Sequence, residues 1–379
     1  MAHKILFLDH ALALGGAEHS LLLILEYLNR VKWRPHLVCA GGPLAEEATQ
    51  LGIPVHTLPM SRLRHFPHSF LHWLGGIKAI VQLARQTEAA LLYANTVRAA
   101  FYGAPAARWI GLPFVWHMRD FWLGESRPRY LWLDTWGKKL LCAMAHRVIA
   151  NSQSVAAHLP CQRRVIVNYN GVELERFDPS MDGPVFREQY HIPAQVPLVG
   201  MVGRLRPWKG QKRFLHAMAQ VQATMPEAWF VIVGGAIFDA DDEYTNQLHT
   251  LARNLGIAER VIFTGHLADV RPALAAMDVF VHPGDPEPFG LVNIEAMAMA
   301  KPVVAFAHGA LPEIVAHQET GLLVPPEDEV ALAEAVVALL RDPVLRKIMG
   351  LASRSRVETH FTARRMVEAV EKVLEEVLQ

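Results

Sequence analysis

The stretch KILFLDHALALGGAEHSLLLILEYLN (residues 4–29) decides the fold class. Residues 4–10 form a short apolar run that predicts a buried strand, and residues 17–29 carry apolar side chains at helical spacing. Asp9 and His10 interrupt the apolar run and no small-residue cleavage site follows, so a first strand is favoured over a signal peptide. The stretch therefore predicts the first strand–turn–helix unit of a parallel α/β domain.

The same alternation of apolar runs and helical patterns repeats along the chain, which predicts the α/β class with parallel sheets covered on both faces. A polar, turn-rich segment at 171–184 separates two series of strands, so we expect two doubly wound, Rossmann-like domains, residues 1–180 and 181–361. Ligands of such domains bind at the carboxyl ends of the strands, so the cleft between the domains is the expected site. The predicted strands are 4–10, 36–40, 54–58, 90–95, 113–118, 147–151, 164–170, 197–203, 229–235, 260–265, 278–283, 301–306 and 320–325.

Length and composition agree with this organisation. The chain has 379 residues, of which 51% are hydrophobic and 20% charged, so it is long enough for two folded domains and is not disordered. Cys39, Cys142 and Cys161 are odd in number, widely spaced and without a metal-ligand pattern, which predicts reduced thiols in a cytoplasmic protein. No apolar run reaches the length of a transmembrane helix.

Charge is distributed unevenly along the chain. Residues 1–178 carry 19 Lys and Arg against 12 Asp and Glu, whereas residues 179–379 carry 18 against 25. The asymmetry is explained either by an anionic partner of the first half or by chance.

Two turns that follow first strands carry candidate anion-binding groups. Gly15 and Gly16 open the first helix, and they indicate either backbone N–H groups close to an anion or a turn that is tight for steric reasons. The corresponding turn of the second half, GRLRPWKG (203–210), brings three cations, Arg204, Arg206 and Lys209, to the carboxyl end of a strand. Cations at that place suit a diphosphate, although a solvated basic loop is the alternative.

The segment EPFGLVNIE (287–295) carries two carboxylates around a helix start. Glu287 lies in a loop after a predicted strand, and Glu295 lies on the second turn of the helix that begins after Gly290. The free N–H groups at that helix start favour phosphate, while the two acids suit sugar and ribose hydroxyls. The alternative is a pair of acids that stabilise a helix through its dipole.

A third candidate group follows the strand that ends in VWHMRDF (115–121). His117, Arg119 and Asp120 emerge where a ligand would lie, so His117 is a candidate for catalysis and the other two for acceptor binding. A lone histidine is equally compatible with a structural role.

Taken together, these motifs resemble the retaining glycosyltransferases of family 4, which have the GT-B fold and use nucleotide-sugar donors. The resemblance runs from about residue 4 to 340 with the motifs in family order. The matching motifs are GGAE (15–18), VIANSQSVAAHL (148–159), NGVELERF (170–177), GRLRPWKG (203–210), VIFTGHL (261–267), HPGDPEPFGLVNIEAMAMAKPVV (282–304), PEIV (312–315) and TGLLVPPED (320–328).

The resemblance also implies roles for individual residues. It implies ribose binding by Glu295, sugar-hydroxyl contacts from Glu287 and the backbone of Phe289, and a place near the transferred sugar for His117. It implies that the final helix, 362–379, packs back on the N-terminal domain, which binds the acceptor. The implied diphosphate contacts are Gly15, Gly16, Arg204, Lys209, Gly290, Leu291 and Val292, and the implied nucleobase contacts lie at Gly265 to Leu267.

The activity implied is transfer of a hexose from a UDP- or GDP-linked donor to a glycan, lipid-linked or small-molecule acceptor, with retention of anomeric configuration. Arg204, Lys209 and the helix start would stabilise the departing diphosphate, so neither a metal, a cofactor nor a covalent carboxylate nucleophile is required. No nucleic-acid partner is expected. Phosphorylase or epimerase chemistry on the same fold, and an inactive sugar-binding scaffold, remain the alternatives.

Three further patterns concern metal and membrane binding. The acids of FDADDE (238–243) resemble a metal motif but fit a solvated loop better, and the histidines of HFPHSFLH (65–72) lack a third zinc ligand. Residues 61–80 and 121–139 interleave aromatic and basic residues. They indicate either peripheral contact with an anionic membrane, on its inner face, or an acceptor pocket for a soluble glycan.

Overall fold

The computed structural model describes residues 2–61, 68–122, 131–181, 183–235 and 242–379. The chain divides into two compact units: unit 1 is Met1–Gly171 with Ala363–Gln379, and unit 2 is Val172–Thr362. The boundary between the units, after Gly171, lies at the start of the polar segment 171–184 that was predicted to be a linker. Residues 172–180, assigned to the first domain from the sequence, belong to unit 2.

Unit 1 is built on a sheet of seven parallel strands in the order β3-β2-β1-β4-β5-β6-β7. All seven strands predicted from the sequence are confirmed. The strands are β1 His3–Leu8, β2 Trp33–Cys39, β3 Val55–Thr57, β4 Leu91–Ala94, β5 Phe114–Met118, β6 Arg147–Ala150 and β7 Val165–Val167.

The second strand begins earlier than predicted because it tolerates a proline. The backbone N–H of Leu37 donates to Pro54 O at 2.9 Å, so the N–H groups of alternate residues in this strand point toward β3. The backbone nitrogen of Pro35 points the same way, but β3 begins only at Val55. No hydrogen bond between the strands is therefore lost at Pro35.

Helices cover both faces of this sheet. One face carries α3, α4, α5 and α6, and the other carries α1, α2 and the last helix, α15. The helices of unit 1 are α1 Gly16–Tyr27, α2 Pro43–Gln50, α3 His68–Gln86, α4 Val97–Ile110, α5 Leu131–Met144, α6 Gln153–Ala157 and α15 Ala363–Leu378.

The last helix belongs to unit 1 although it follows unit 2 in the chain. Its apolar stripe, which includes Met366, Val370 and Leu374, is buried in the same core as strand β1. The side chain of Asn168 donates to Met366 O at 2.9 Å.

Two cysteines correct an expectation from the sequence. Cys142 and Cys161 form a disulfide, with their Cα atoms 5.8 Å apart, so they are not the reduced thiols that we expected. Cys39 is the free cysteine and lies buried in strand β2.

Unit 2 contains a six-stranded parallel sheet in the order β10-β9-β8-β11-β12-β13, and its six predicted strands are confirmed. The strands are β8 Leu198–Val202, β9 Trp229–Val233, β10 Val261–Phe263, β11 Val279–His282, β12 Val303–Phe306 and β13 Gly321–Val324. The helices are α7 Gly183–Gln189, α8 Gln211–Thr224, α9 Asp242–Asn254, α10 Arg271–Ala276, α11 Leu291–Ala298, α12 Leu311–Ile314, α13 Glu329–Arg341 and α14 Pro343–His360.

The helices of unit 2 also form two layers. Helices α8, α9 and α13 share one apolar core with the sheet, while α11 packs on α14 and α7 on α10. In both units the first strand is central and the connections run outward from it in two directions, which is the doubly wound topology that the sequence predicted. Within the part of the chain that the structure describes, no helix is long and apolar enough to cross a bilayer.

Candidate active site

The candidate site of unit 2 lies where its strand order reverses. Strands β8 and β11 are neighbours, but the chain leaves β8 toward β9 and leaves β11 toward β12. Loops that follow two such strands diverge and leave room for a ligand at the carboxyl edge of the sheet. The turn after β8 and the loop after β11 carry Lys209 and Glu287.

Close backbone contacts join these two loops. Gly210 has φ +78°, and a Cβ atom there would lie 2.0 Å from the Pro283 carbonyl oxygen, so a larger residue is excluded. The N–H of Asp285 donates to Trp208 O at 2.7 Å, and its carboxylate accepts from Arg213 Nη1 at 2.8 Å. The loops therefore hold their charged side chains at a fixed separation.

Lys209, Glu287 and His282 form a compact charged cluster at this edge. The Lys209 ammonium forms an ion pair with Glu287 Oε1, and His282 Nε2 lies 3.5 Å from the same oxygen. Burial raises the pKa of Glu287, but the hydrogen bond from His282 and the charge of Lys209 outweigh burial and bring that pKa to about 2. Glu287 is therefore ionised at neutral pH and cannot act as a proton donor.

The start of helix α11 adds backbone donors next to this cluster. Gly290, at φ +85°, is the N-cap residue, and no side chain caps the helix there. The N–H groups of Leu291 and Val292 belong to the first turn, which lacks intrahelical acceptors. The side-chain amide of Asn293 donates to Gly290 O at 2.9 Å, and the side chain of Phe289, just before Gly290, is buried. A hydrogen bond after Gly290 and a buried side chain before it thus fix the start of the helix.

Glu295 lies on the second turn of α11, as the sequence predicted, and is half-buried. Burial raises the pKa of Glu295 to about 7, and the positive charge of Arg176 offsets only part of that rise. Its carboxyl group therefore changes charge near neutral pH.

Arg204, Gly265 and Leu267 complete the donor residues expected in unit 2. The Arg204 side chain is exposed, and the described residues offer it no ion-pair partner, so its charge is available to a ligand. The carbonyl of Gly265 accepts from the N–H of Gly234 at 3.0 Å, which fixes the turn after β10 beside the end of β9. Leu267, two residues on, is half-buried.

The corresponding edge of unit 1 carries a buried polar network. It begins where the strand order reverses between β1 and β4, with Asp9 after β1 and Asn95 after β4. Asn95 donates to Asp9 Oδ2 at 2.7 Å and accepts from Arg119 Nε at 2.6 Å, and Arg119 Nη1 donates to Asn170 Oδ1 at 2.8 Å. Arg119 Nη2 is buried and has no partner among the described residues.

His117 lies two residues before Arg119 and is fully buried in strand β5. Its Nδ1 is 2.5 Å from the Tyr93 hydroxyl, and its Nε2 has no partner within the described ranges. Burial and the charge of Arg119 hold the pKa of His117 well below its usual range, so the ring is neutral. We predict that the Tyr93 hydroxyl donates to Nδ1 and that the ring proton is on Nε2, because the positive charge of Arg119 favours electron density on the Tyr93 oxygen.

The first turn of unit 1 differs in one respect from the sequence-based expectation. The N–H of Gly15 already donates to Glu18 Oε2 at 2.9 Å. Gly16 is therefore the better candidate of the two for donating its N–H to an anion. Burial and the neighbouring Asp9 charge raise the pKa of Glu18 to about 7. Asn95 also donates to Ala17 O at 3.1 Å, which connects this turn to the network around Arg119.

Asp120 is separate from that network. It is exposed, and its Oδ1 accepts from the N–H of Trp122 at 2.6 Å within a local turn. The pairing of Arg119 with Asp120 in one acceptor site stays a prediction, and the structure brings Arg119 together with Asn95 and Asn170 instead.

Several site residues were not predicted from the sequence. Tyr93 and His282 lie at or near the ends of buried strands, where an apolar side chain is usual. A polar side chain at such a position was the sequence signal that could have identified them. Asp9, Asn95 and Glu18 each follow or open an element at the carboxyl edge, but only the fold shows that they share one network.

Two candidate metal motifs fall partly outside the described residues. These are the acids of 238–243 and the histidines of 65–72. In the ranges that the structure describes, no three His, Cys, Asp or Glu side chains lie together as a metal site.

The chain matches two family models. Residues 14–176 match the model described as Glycosyltransferase Family 4, and residues 183–356 match the model described as Glycosyl transferases group 1. The two matches divide the chain as the two units do.

Individual proteins give the same result. The lipopolysaccharide core biosynthesis mannosyltransferase LpsB of Rhizobium meliloti is 30% identical over 64% of this chain and 69% of its own length. A GDP-mannose-dependent monoacylated alpha-(1-6)-phosphatidylinositol monomannoside mannosyltransferase of Corynebacterium glutamicum is 34% identical over 54% of this chain and 55% of its own length. This chain therefore spans about half the length of the second relative.

Among solved structures, Anabaena Alr3699/HepE in complex with UDP superposes with a TM-score of 0.85 at 29% identity, covering 98% of this chain and 100% of that one. The two doubly wound units thus have the fold of GT-B glycosyltransferases. The chain belongs to the family 4, or group 1, glycosyltransferases.

Proposed function

We propose that this protein is a retaining hexosyltransferase that takes a hexose from a UDP- or GDP-linked donor and needs no metal. The observation that carries the proposal is the combination of Lys209, Glu287 and the uncapped start of α11 at the point where the strand order of unit 2 reverses. A cation, backbone donors and an ionised carboxylate at one edge suit a diphosphate with a hydroxylated sugar attached.

The relatives support this class of donor. HepE was solved with UDP and, in a further structure with a TM-score of 0.83, with UDP-glucose, whereas the Corynebacterium relative is named as dependent on GDP-mannose. We infer that the ribose hydroxyls contact Glu295, and that the base contacts the turn from Gly265 to Leu267.

The chemistry of unit 2 is electrostatic. As the bond from the sugar to the diphosphate breaks, negative charge develops on the leaving group, and Arg204, Lys209 and the first N–H groups of α11 stabilise it. Glu287, with its pKa of about 2, stays ionised and accepts hydrogen bonds from sugar hydroxyls. Retention follows if the acceptor attacks from the face that the diphosphate leaves.

The edge of unit 1 carries further polar groups. Among the described residues, His117 Nε2 and Arg119 Nη2 are buried without partners, and as N–H donors they suit oxygen atoms of the transferred sugar or the acceptor. Asp120 stays a candidate acceptor contact. We propose a lipid-linked or other glycan acceptor, since the named relatives act on lipopolysaccharide core and phosphatidylinositol monomannoside, and with it a peripheral contact with anionic membrane.

The proposal is tested by thermal unfolding with UDP-, GDP- and ADP-sugars, followed by turnover assays. A donor at a hundredfold excess over its Kd stabilises the folded state by about 2.7 kcal/mol. Release of the nucleoside diphosphate with the transferred sugar in the α configuration supports the proposal. Release of sugar phosphate only when free phosphate is added indicates a phosphorylase. Interconversion of sugars without acceptor indicates an epimerase, and binding without turnover indicates a scaffold.

The pKa of Glu295 predicts how nucleotide affinity depends on pH. The unfolded chain ionises this group near 4.5 and the folded chain near 7, so stability falls as pH rises through that window. Ribose hydroxyls that donate to the carboxylate favour its charged form, so binding releases a proton below pH 7. We expect UDP or GDP to bind about tenfold more weakly at pH 6 than at pH 8.

Isothermal titration calorimetry at several pH values measures this dependence. The variant Glu295→Gln keeps a half-buried side chain of similar shape without a titrating group, and it should bind weakly and equally at both pH values. Glu313→Gln, on the short helix α12, is the matched control that should keep the wild-type dependence. The same slope in Glu295→Gln as in the wild type would remove Glu295 from the ribose site.

The Tyr93 hydroxyl is predicted to fix the tautomer of His117. In Tyr93→Phe the donor to Nδ1 is absent, so both neutral tautomers become populated and Nε2 is a donor in only part of the molecules. We expect kcat/KM to fall about tenfold, the scale of one hydrogen bond of 1–1.5 kcal/mol. Long-range proton–nitrogen NMR of the histidine rings reports the tautomer directly.

Tyr102→Phe is the matched control, because the Tyr102 hydroxyl donates to Ser61 O at 3.1 Å elsewhere in unit 1. It should leave the His117 signals unchanged. A wild-type spectrum with the proton on Nδ1 would contradict the assignment.

A further inference from the structure

The middle of the fifth helix of unit 1, α5, turns charged side chains inward. They are Asp134 and Lys138, which form an ion pair at 2.8 Å with side chains 9% and 3% exposed. Lys138 also donates to Phe121 O at 3.1 Å. A buried ion pair is costly to desolvate, and the apolar residues that join the core, Leu141 and Cys142, lie in the last turn of the helix.

The outward face of α5 is correspondingly apolar. Trp132 and Trp136 are 62% and 69% exposed, and Leu133 and Leu140 are exposed on the same side, at helical spacing. Lys139 lies 5.8 Å from the centre of the Trp136 ring, which places a cation at the border of this face.

The surface extends over the neighbouring helices. Helix α3 packs on α4 and α4 on α5, and all three cover the same face of the sheet. Of the nine large apolar side chains exposed in the described part of unit 1, seven lie on these three helices: Phe70, Leu71, Trp109, Trp132, Leu133, Trp136 and Leu140. Such a concentration is unusual on a surface that faces only water.

The charge of this helical layer is one-sided. Helices α3, α4 and α5 contain six cations and one acid, and that acid, Asp134, is already paired with Lys138. The cations are Lys78, Arg85, Arg98, Arg108, Lys138 and Lys139, of which Lys78, Arg85, Arg108 and Lys139 are exposed. Tryptophan and leucine together with exposed cations suit the boundary between lipid headgroups and acyl chains of an anionic bilayer.

We propose that the outward face of α5, with the exposed residues of α3 and α4, docks on an anionic membrane surface. Trp132 and Trp136 enter the headgroup boundary, and the exposed cations of the layer contact lipid phosphates. The surface is defined by its own geometry, while the choice of a bilayer as occupant rests on the proposed transfer to a lipid-linked acceptor.

Vesicle flotation tests the proposal, with phosphatidylcholine vesicles that contain or lack 30% phosphatidylglycerol as the probe. The wild-type protein should float with the anionic vesicles and lose most of that binding in 0.5 M salt. The double variant Trp132→Gln/Trp136→Gln should reduce the bound fraction at least about tenfold, since two large apolar side chains no longer enter the interface. The double variant Val31→Gln/Val330→Gln, which alters exposed apolar side chains elsewhere, should bind as the wild type does.

Three results would overturn the proposal. The first is that the wild type binds neutral and anionic vesicles equally, or binds neither. The second is that Ile348→Gln/Leu351→Gln on α14 loses binding while the α5 variant keeps it. The third is a concentration-dependent dimer in light scattering that the α5 variant abolishes, because a second copy would then be the occupant. Hydrolysis of the nucleotide sugar, measured without vesicles, separates this surface from the proposed function. Turnover without flotation contradicts only the surface, and flotation without turnover contradicts only the enzyme.

Discussion

Replacement of Lys209 with methionine is expected to lower kcat for sugar transfer about 100- to 1,000-fold, the usual effect of removing one group that stabilises developing charge. The ammonium lies at the carboxyl end of β8, and its ion pair with Glu287 places it beside the start of α11. Methionine keeps the length and the apolar stem of the side chain but removes the charge. The loss should therefore appear mainly in kcat, because additional negative charge develops on the leaving group only as its bond to the sugar breaks.

The matched control is Lys212→Met. Lys212 lies on α8, three residues farther along, where its ammonium is exposed and donates to Gln247 Oε1 at 2.9 Å. It should turn over at the wild-type rate, and thermal unfolding should show that both variants are folded. A Lys209→Met enzyme with unchanged kcat would remove Lys209 from the leaving-group site. A rise in KM alone would assign it to ground-state binding only.

The sequence predicted much of unit 2 because its strand ends and its candidate site residues lie in the same short segments. Residues 203–210 and 287–295 each combine a strand end, a turn and charged or backbone donors, so local spacing predicted both the element and the candidate site. It could not reveal that Lys209 and Glu287 neutralise each other, or that His282 contacts the same carboxylate. Those contacts depend on the order of β8 and β11 in the sheet, which is a long-range property.

In unit 1 the sequence predicted the strands but little of the site. Asp9 and Asn95 belong to no motif, and Asn170 opens NGVELERF (170–177), which does not indicate its contact with Arg119. These residues join one network only because different strands end at one edge. The disulfide between Cys142 and Cys161 was missed for the same reason, since a spacing of 19 residues does not show that two Cα atoms lie 5.8 Å apart. The inward position of Asp134 and Lys138 on α5 was also hidden, because a helical period does not tell which face is inside.

Replacement of Arg119 with methionine is expected to lower the free energy of unfolding of unit 1 by about 3–5 kcal/mol, the usual effect of removing one partner from a buried charged network. Arg119 makes two of its hydrogen bonds to side chains at 2.6 and 2.8 Å, and its charge opposes the rise in pKa that burial causes at Asp9. Without it, Asp9 and Glu18 are two buried acids without a compensating cation. Urea denaturation followed by tryptophan fluorescence measures the change, since seven of the nine tryptophans precede residue 140.

The pH dependence and a second substitution separate this explanation from simple loss of packing. An acid whose pKa is raised in the folded state holds a proton that the unfolded chain releases, so stability falls as pH rises between the two pKa values. Arg119→Met should therefore lose more stability at pH 8 than at pH 5, whereas exposed Arg163→Met should change little at either pH. The double variant Asp9→Asn/Arg119→Met removes one of the two acids and should recover part of the loss at pH 8, by about 1–2 kcal/mol. If the stability losses of Asp9→Asn and Arg119→Met add up in the double variant and do not change with pH, Arg119 acts through its shape alone. In that case its charge does not determine the protonation of Asp9 and Glu18 beside the first turn.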